Sequence, residues 1–212
     1  TRRSSVGNMF PIGLTSSANF YAVSNIVYDV YHTNTSSGHA YGIYSDAWSG
    51  TAHFSNNTVY KVVNDNGSGD SFGIRLRDRS NHYGRNNLAF DTGGTTSGTI
   101  QDFLGGASAD EDFCASSDAT APGDNSLTNK AAADQFVSTV SGSEDLCLKL
   151  GAHAINAGTD LETTPAGVNI DITGRDRHAE GDVWDIGAHE YVAVAAAGFF
   201  ARRYYDNLLA GG

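Results

Sequence analysis

The chain contains little proline, little cysteine and few basic residues. Its 212 residues include 3 Pro, 2 Cys and 13 Lys plus Arg against 24 Asp plus Glu, which gives a formal net charge of -11. A protein that binds nucleic acid needs a basic stripe to displace counterions from phosphates, so this charge argues against that class of partner. The acidic balance fits a soluble extracellular or halotolerant surface, or a surface that collects divalent cations.

The sequence also lacks a long apolar run and an initiator methionine. A bilayer span needs about 20 mostly apolar residues, and no such stretch occurs. The chain begins at Thr1 without a signal peptide, which indicates a processed product or one segment of a longer protein. What the chain does contain is 25 Gly with many Ser, Thr, Asn and Asp, a composition typical of β-structure with many turns.

The two cysteines, Cys114 and Cys147, permit one disulfide. Neither has the CxxC or Cys/His spacing of a zinc site. A disulfide between them would close a loop of 33 positions, which is worth roughly 3–4 kcal/mol in the chain-entropy model. The alternative is two separate buried thiols.

Two short motifs recur along the first half of the chain. Gly42–Ile43 and Gly73–Ile74 lie 31 positions apart, and one more step of 31 back from Ile43 reaches Ile12. The second motif is an asparagine ahead of an apolar strand, and it recurs at Asn25, Asn57 and Asn87. This period and these turn residues predict a β-solenoid with about three recognisable coils.

Stacked coils predict columns of aligned side chains. Asparagine tolerates the left-handed conformation at a corner, and stacked asparagine amides can hydrogen-bond into a ladder. Three further columns should follow the ladder: Val27 with Val59 and Ala89, Tyr28 with Tyr60 and Phe90, and Asp29 with Lys61 and Asp91. The bend at the corner leaves open whether the aliphatic or the aromatic column faces the core.

On the other repeated strand, Ile43 and Ile74 should point inward. That register would place Tyr44 over Arg75 and Asp46 beside Arg77 on the outer face.

The repeat "GIYSDAWSGTAHFSNNTVYKV" resembles the coils of right-handed parallel β-helix proteins, which include pectate-lyase-like enzymes, surface proteins and phage tailspikes. The second half resembles the C-terminal region of choice-of-anchor Q domain proteins. The matching pieces are "DQFVS" (134–138), "LCLKLGAHAINAGTDL" (146–161), "NIDITGRDR" (169–177) and "DIGAHEY" (185–191). One departure is Ala152–His153, where that family usually has Ser-Pro. The resemblance implies an exported protein whose end domain packs on the helix, and it carries over no catalytic residues.

We therefore predict an all-β fold, a right-handed parallel β-helix with a loop-rich C-terminal capping region. The coils should span 1–105, the capping region 106–191 and a C-terminal association segment 192–212. A solvated tail would not normally carry so many large apolar side chains, so we expect the segment to dock on the β-helix or on another subunit. These side chains are Phe199, Phe200, Tyr204, Tyr205, Leu208 and Leu209.

The stretch "RLRDR" (75–79) is the main candidate for chemistry. Arg75, Arg77 and Arg79 alternate and should share the outer face of one strand, near Asp46 and Asp78. Polysaccharide lyases of the β-helix class use arginine or lysine near acidic groups, with calcium, to remove a proton from a uronate. The alternative is an exposed strand whose arginines pair with neighbouring carboxylates.

Two acidic or amide-rich stretches are candidate cation sites. In "NDNGSGDS" (64–71) the position of the closing bidentate Glu is Arg75, so a flexible insertion between two coils is the better interpretation. The stretch 171–190 could form a salt-bridge network, a cation site or an active site, and a structural network is favoured. Its charged residues are Asp171, Arg175, Asp176, Arg177, Asp182, Asp185 and Glu190.

Aromatic and histidine side chains give weaker signals. Exposed Tyr44, Trp48 and Tyr83 near a polar groove could stack on sugar rings, or they could simply pack between coils. His53 and His82 begin the similar pieces "HFSNN" and "HYGRNN", so we expect them to stack as a surface pair.

The function that fits best is an exported structural or adhesive module of a cell-surface protein, an extracellular filament or a virion fibre. Its partners would be another copy or another surface or virion subunit, bound through the C-terminal segment, and glycans along the outer face. The competing function is a polysaccharide lyase or hydrolase that uses the arginine face, with calcium as a possible cofactor. Carbohydrate recognition without cleavage is a third class that the sequence does not separate from the first.

Overall fold

The computed structural model describes residues 2–3, 8–9, 11–14, 19–33, 38–46, 49–106, 110–179 and 183–193. Short strands and turns dominate these ranges. Their helical structure consists of one four-residue α-helix and one three-residue 3₁₀ helix. The all-β class expected from the composition is confirmed.

The strands follow one another as turns of a coil. After β1 (Arg2–Arg3), the first turn consists of β2 (Ile12–Leu14), β3 (Phe20–Val23) and β4 (Ile26–His32). The second turn consists of β5 (Ala40–Ser45), β6 (Ala52–Ser55) and β7 (Thr58–Asn64). The third consists of β8 (Ser71–Arg75), β9 (His82–Arg85), β10 (Leu88–Phe90) and β11 (Gly93–Gly94). A shorter fourth turn consists of β12 (Ile100–Leu104), β13 (Asp110–Asp112) and β14 (Ala115–Ser116).

Equivalent strands of successive turns pair in parallel and form three sheets. Sheet I contains β2, β5, β8 and β12, and sheet II contains β3, β6, β9 and β13. Sheet III contains β1, β4, β7, β10 and β14, with β11 also paired to β7. The molecule is therefore a parallel β-solenoid of about three turns, and its parallel pairing continues past residue 105 to Ser116.

The register matches the sequence repeat. Ile12, Ile43 and Ile74 are aligned across sheet I, and Phe103 continues the column in the fourth turn. Beside Ile43, Gly42 is required by space, because a Cβ there would lie 2.4 Å from the Cγ1 of Val59 inside the solenoid. The recurring Gly-Ile pair thus brings sheet I close to the opposite wall of the core.

Sheet III resolves which column faces inward. Val27, Val59 and Ala89 are aligned and belong to the solenoid core. Tyr28, Tyr60 and Phe90 are aligned on the outer face. Tyr60 and Phe90 are buried there under the C-terminal region, whereas Tyr28 is 49% exposed.

The next column explains how the strands of sheet III bend. Asp29, Lys61 and Asp91 all have left-handed backbone, with φ of 53°, 62° and 56°. This kink resets the alternation, so Val30 and Val62 again point into the core. The Lys61 ammonium lies 3.5 Å from the Asp29 carboxylate, in agreement with the alternating charges of the column.

The asparagine ladder runs along the corner between sheets II and III. Asn25 donates its side-chain amide to the Asn57 oxygen at 3.0 Å, and Asn57 donates to the Asn87 oxygen at 2.9 Å. The backbone N–H groups of Asn25 and Asn57 donate to the same two oxygens. In the fourth turn Cys114 takes the ladder position, since Leu88 pairs with Ala115.

The residue before each ladder member turns the corner. Ser24, Asn56 and Asn86 have left-handed φ of 52°, 54° and 55°. Their side chains point away from the solenoid and bond the C-terminal region: Ser24 to the Ile170 carbonyl, Asn56 to the Val168 carbonyl and Asn86 to the Thr159 carbonyl. In each Asn-Asn pair, the first asparagine therefore turns the chain and faces outward, and the second joins the ladder.

The C-terminal region lies along the outer face of sheet III. It contains α1 (Ala132–Gln135), the antiparallel pair β15 (Phe136–Ser138) and β16 (Asp145–Leu148), and the 3₁₀ helix Arg177–Ala179. Phe136 packs edge-on against Tyr60 and Phe90 at ring-centroid distances of 5.9 and 5.7 Å. Through this contact the loop-rich C-terminal region packs on the coils and covers the aromatic column.

Residues 117–127 cover the last turn of the stack. Asp118 accepts the Asp102 N–H, Thr120 accepts the Phe103 N–H and Ser126 accepts the Cys114 N–H. Side-chain oxygens thereby satisfy donors at a strand edge that would otherwise be open to pairing.

The disulfide expected between Cys114 and Cys147 does not form, because both cysteines are free thiols in the structure. Cys114 is fully buried in the solenoid core, where its thiol donates to the Asp112 carbonyl at 3.4 Å and to the Gly84 carbonyl at 3.8 Å. Cys147 lies on β16, in the region that packs outside sheet III. Burial raises the pKa of the Cys114 thiol and, together with Asp145, raises that of Cys147 to about 11, so neither is readily ionised.

We predict that Asn57→Ala destabilises the protein by about 3 kcal/mol, because the change removes several buried hydrogen bonds and leaves their partners unsatisfied. The Ala22 carbonyl, which accepts from the Asn57 amide at 2.8 Å, is one of these partners. Urea unfolding measures the loss, with Asn25→Ala at the less buried end of the ladder as the matched control. Equal, small losses for both variants would contradict a ladder that stabilises the stack.

Candidate functional site

The three arginines of the predicted face line one cleft. β8 ends at Arg75, Leu76 turns into the core, and Arg77 and Arg79 follow on the connection to sheet II. The cleft has a volume of about 450 Å³. Its lining consists of Asp46, Arg75, Leu76, Arg77, Asp78, Arg79, Leu104, Gly105 and Gly106. We call this cavity the arginine cleft. Its five charged residues, Asp46, Arg75, Arg77, Asp78 and Arg79, are the ones that the sequence groups together.

The charged groups of the arginine cleft are partly exposed. Arg77 donates to the Asp46 carboxylate, the pair that the 31-residue spacing predicts. The two side chains are 22% and 37% exposed, so this ion pair adds little to stability. Its role is to orient Arg77 along the wall of the cleft.

Arg75 is held by aromatic rings rather than by a carboxylate. Its guanidinium lies 5.6 and 5.2 Å from the ring centroids of Tyr41 and Tyr44 and donates to the Tyr41 hydroxyl at 3.3 Å. Tyr41 stacks on Tyr44 at 4.6 Å and on Phe72 at 5.9 Å. This cluster on the outer face of sheet I keeps one wall of the cleft rigid.

The expectation that Tyr44 is an exposed sugar-stacking residue is wrong. Tyr44 is only 6% exposed, because its ring is enclosed between Tyr41 and Arg75. Burial, together with a hydrogen bond to Asp46, raises the pKa of Tyr44 to about 12. Trp48, which was expected beside it, lies outside the described residues, as does the association segment from Phe199 to Leu209.

Tyr83 lies on a different face, on sheet II. Its ring stacks on His53 at 4.6 Å, and His53 stacks on Tyr21 at 5.4 Å. The expected stack of His53 on His82 is therefore wrong, because His53 pairs with Tyr83 and His82 pairs with Ala52. "HYGRNN" has one more residue ahead of its asparagines than "HFSNN", so counting back from the ladder gives the correct register.

A half-buried carboxyl lies behind the floor of the arginine cleft. Glu111 on β13 is aligned with Gly84, and a Cβ on Gly105 would lie 2.0 Å from its Oε2. Gly84 and Gly105 thus leave the space that the carboxyl fills. Burial raises the pKa of Glu111 to about 7, opposed by a hydrogen bond from the Gly106 backbone. Glu111 is absent from the residues predicted from the sequence, although its alignment with Gly84 of the preceding turn is a signal of this packing.

The arginine cleft does not fit a calcium ion. Calcium takes six to eight oxygen ligands, whereas the cleft offers two carboxylates, of which Asp46 is bonded to Arg77. Among the residues that the structure describes, no group of three or more His, Cys, Asp or Glu side chains could hold a metal ion.

The segment 64–70 is an ordinary corner of the solenoid rather than an insertion. Asn64 and Asn66 donate to the Gly38 carbonyl of the preceding turn at 3.0 and 2.7 Å. Asp65 accepts from Thr95 of the next turn. These amides therefore hold neighbouring turns together.

The acidic stretch of the C-terminal region is a buried network. Arg177 is fully buried, donates to the Glu190 carboxylate at 2.6 Å and donates to the Gly187 carbonyl at 2.8 Å. Asp185 accepts hydrogen bonds from the N–H groups of Asn156 and Tyr191.

The other acidic residues of the stretch differ in their surroundings. Asp171 accepts from Thr173, and multiple hydrogen bonds lower its pKa despite burial. Asp176 accepts from Asn169 at 3.3 Å, and Asp182 lies outside the described residues.

This network holds the region against sheet III. A Cβ on Gly187 would lie 2.5 Å from Leu88, and the Ala188 N–H donates to Thr58 at 3.0 Å. Gly187 therefore lies directly against Leu88 of sheet III. Arg177 holds it there, because its guanidinium donates to the Gly187 carbonyl. The arrangement is consistent with the favoured structural interpretation.

The chain matches no protein-family model, no curated protein and no solved structure. In the described part of the chain, no helix has the length and apolar character that crossing a membrane requires.

Glu111 should make stability depend on pH. Its folded-state pKa is raised from 4.5 to about 7, so the folded protein binds this proton more tightly, and the stabilisation is complete below about pH 4.5 and lost as the pH rises through about 7. We expect Glu111→Gln to remove up to about 3 kcal/mol of this pH dependence.

Urea unfolding across that pH range measures the effect, and exposed Glu162→Gln is the control. Parallel stability profiles for Glu111→Gln and the unmodified protein would show that the carboxyl titrates normally in the fold.

Proposed function

We propose that this chain is a structural and adhesive β-solenoid module of an exported protein, and that its arginine cleft binds an acidic glycan. The observation that carries the proposal is the convergence of Arg75, Arg77 and Arg79 on one cleft of about 450 Å³. Planar guanidinium groups match the geometry of carboxylate and sulfate groups and bind them through paired hydrogen bonds.

The charge of the cleft differs from that of the chain. Three arginines and two aspartates line it, a formal excess of one positive charge, in a chain whose net charge is -11. A locally cationic cleft on an acidic protein attracts an anionic group at one place and repels it elsewhere. Such a charge pattern favours one binding position over general adhesion to polyanions.

The stiffness of the walls supports binding at this place. Arg75 packs on Tyr41 and Tyr44 and belongs to β8, which is paired with a strand on either side, and Arg77 is bonded to Asp46. A site on rigid elements loses little conformational entropy when a ligand binds.

Export and anchoring are supported by the C-terminal motifs that resemble choice-of-anchor Q domain proteins. "DIGAHEY" (185–191) contains Gly187, which contacts sheet III, and Glu190, which bonds Arg177. These motif residues make the contacts that hold the region to the solenoid. We propose that the association segment 192–212 then joins the module to another copy or another surface subunit.

Binding of oligogalacturonate and of heparin-derived oligosaccharides, measured by calorimetry, tests the cleft. We expect binding that weakens with added salt and by at least about tenfold in Arg77→Gln/Arg79→Gln, because two charge-assisted contacts are lost. Lys130→Gln, a charge change in the C-terminal region, is the control and should bind as the unmodified protein does. Equal binding by the double variant and the unmodified protein would contradict the proposal.

A polysaccharide lyase or hydrolase is the second candidate, favoured by the presence of Asp46 and Asp78 in the same cleft as the arginines. Incubation with polygalacturonate and alginate, with and without added calcium, tests it. Unsaturated products would identify a lyase, and new reducing ends without unsaturation would identify a hydrolase. Intact polymer under all conditions, together with binding, leaves adhesion as the function.

A further inference from the structure

A second groove lies on sheet II, on a different face from the aromatic cluster of sheet I. It runs between the outer surface of sheet II and residues 159–164 of the C-terminal region, and its volume is about 310 Å³. We call it the tyrosine groove. Tyr83, Arg85 and Asp110 lie on its sheet side, and Thr159 and Asp160 lie on the opposite side.

The sheet side of the groove ends in an aromatic ring. Tyr21, His53 and Tyr83 form a column of nearly parallel rings, each pair inclined by 16°. In the fourth turn the residue aligned with Tyr83 is Asp110, whose carboxylate is bonded to Arg85. The column of rings therefore stops at Tyr83, and the next position along the axis is polar.

The width of the groove is fixed by the corner asparagine. Asn86 accepts the Thr159 N–H at 2.9 Å and donates to the Thr159 carbonyl at 2.7 Å. Asn86 directly follows Arg85 on the sheet side of the groove, and its hydrogen bonds to Thr159 hold the opposite side at a fixed distance. Asp160 is also held, since it accepts from the Glu162 N–H and lies 3.1 Å from the His178 Nε2.

The charges that face the groove do not favour an anion. Arg85 is bonded to Asp110, and Asp160 adds a second carboxylate on the other side. His53 faces the same groove, and burial lowers its pKa, which favours the neutral ring. A ligand with hydroxyl groups and a flat apolar face matches this lining better than a charged sugar does.

We propose that the tyrosine groove binds a neutral pyranose unit of a polysaccharide. The apolar face of the sugar ring continues the aromatic column on Tyr83, and its hydroxyl groups bond to the Arg85–Asp110 pair and to Asp160. The tyrosine groove and the arginine cleft share no lining residue. The two binding proposals are therefore independent, and either can be contradicted without the other.

Calorimetry with neutral hexasaccharides of glucose, xylose, mannose and galactose tests the groove on the full chain. We expect at least one of them to bind, and Tyr83→Ala to weaken that binding by about tenfold, the loss expected for an aromatic stacking contact. Tyr83→Phe should retain the affinity, because the ring supplies the contact.

Tyr21→Ala is the matched control. Tyr21 belongs to the same column and is 53% exposed, but it does not line the groove. It should leave the affinity unchanged, and thermal unfolding of each variant checks that the column still folds. Failure of all four neutral hexasaccharides to bind, or equal losses in Tyr21→Ala and Tyr83→Ala, would overturn the proposal.

Discussion

The structure depends on one corner, where the chain passes from sheet II to sheet III in every turn. A left-handed residue makes the bend, and the next residue places its side chain in the ladder along the solenoid axis. Asparagine suits both positions, because it tolerates left-handed backbone and carries both a donor and an acceptor. At Asn56–Asn57 and Asn86–Asn87 the two asparagines are adjacent. The first donates to a carbonyl of the C-terminal region outside the solenoid, and the second hydrogen-bonds within the ladder.

The outward side of this corner positions the rest of the molecule. Ser24, Asn56 and Asn86, one from each of three successive turns, donate to carbonyl groups of the C-terminal region, which then covers the aromatic column of sheet III. The C-terminal region therefore lies along the side of the stack. Sheets I and II keep outer surfaces on which the arginine cleft and the tyrosine groove form.

The repeat determined what could be predicted from the sequence. A constant step aligns Ile12 with Ile43 and Ile74, and the same step pairs Asp46 with Arg77, so both the core column and the charged face followed from spacing alone. Spacing does not report which side of a bent strand faces the core. The left-handed residues Asp29, Lys61 and Asp91 interrupt the alternation of inward and outward side chains along each strand. For this reason the side of sheet III that faces the core could be assigned only from the structure.

Other features depended on contacts that are distant in sequence. Tyr44 was expected to be exposed, but cross-strand stacking with Tyr41 and Arg75 buries it. Cys114 was expected to pair with Cys147, but a ladder position inside the solenoid holds it apart. The packing of Glu111 does not follow from the sequence, because Gly84 and Gly105, which leave the space for its carboxyl, come together only when the turns stack.

Hydrogen exchange of the side-chain amides of Asn56, Asn57, Asn86 and Asn87, followed by NMR, tests the central claim most directly. The account predicts that all four amides are protected, and that disrupting the C-terminal contact by Gly187→Ala exposes those of Asn56 and Asn86 while Asn57 and Asn87 stay protected. Rapid exchange of all four amides in the unmodified protein, or equal loss of protection in the variant, would contradict the division between an inward ladder and an outward attachment.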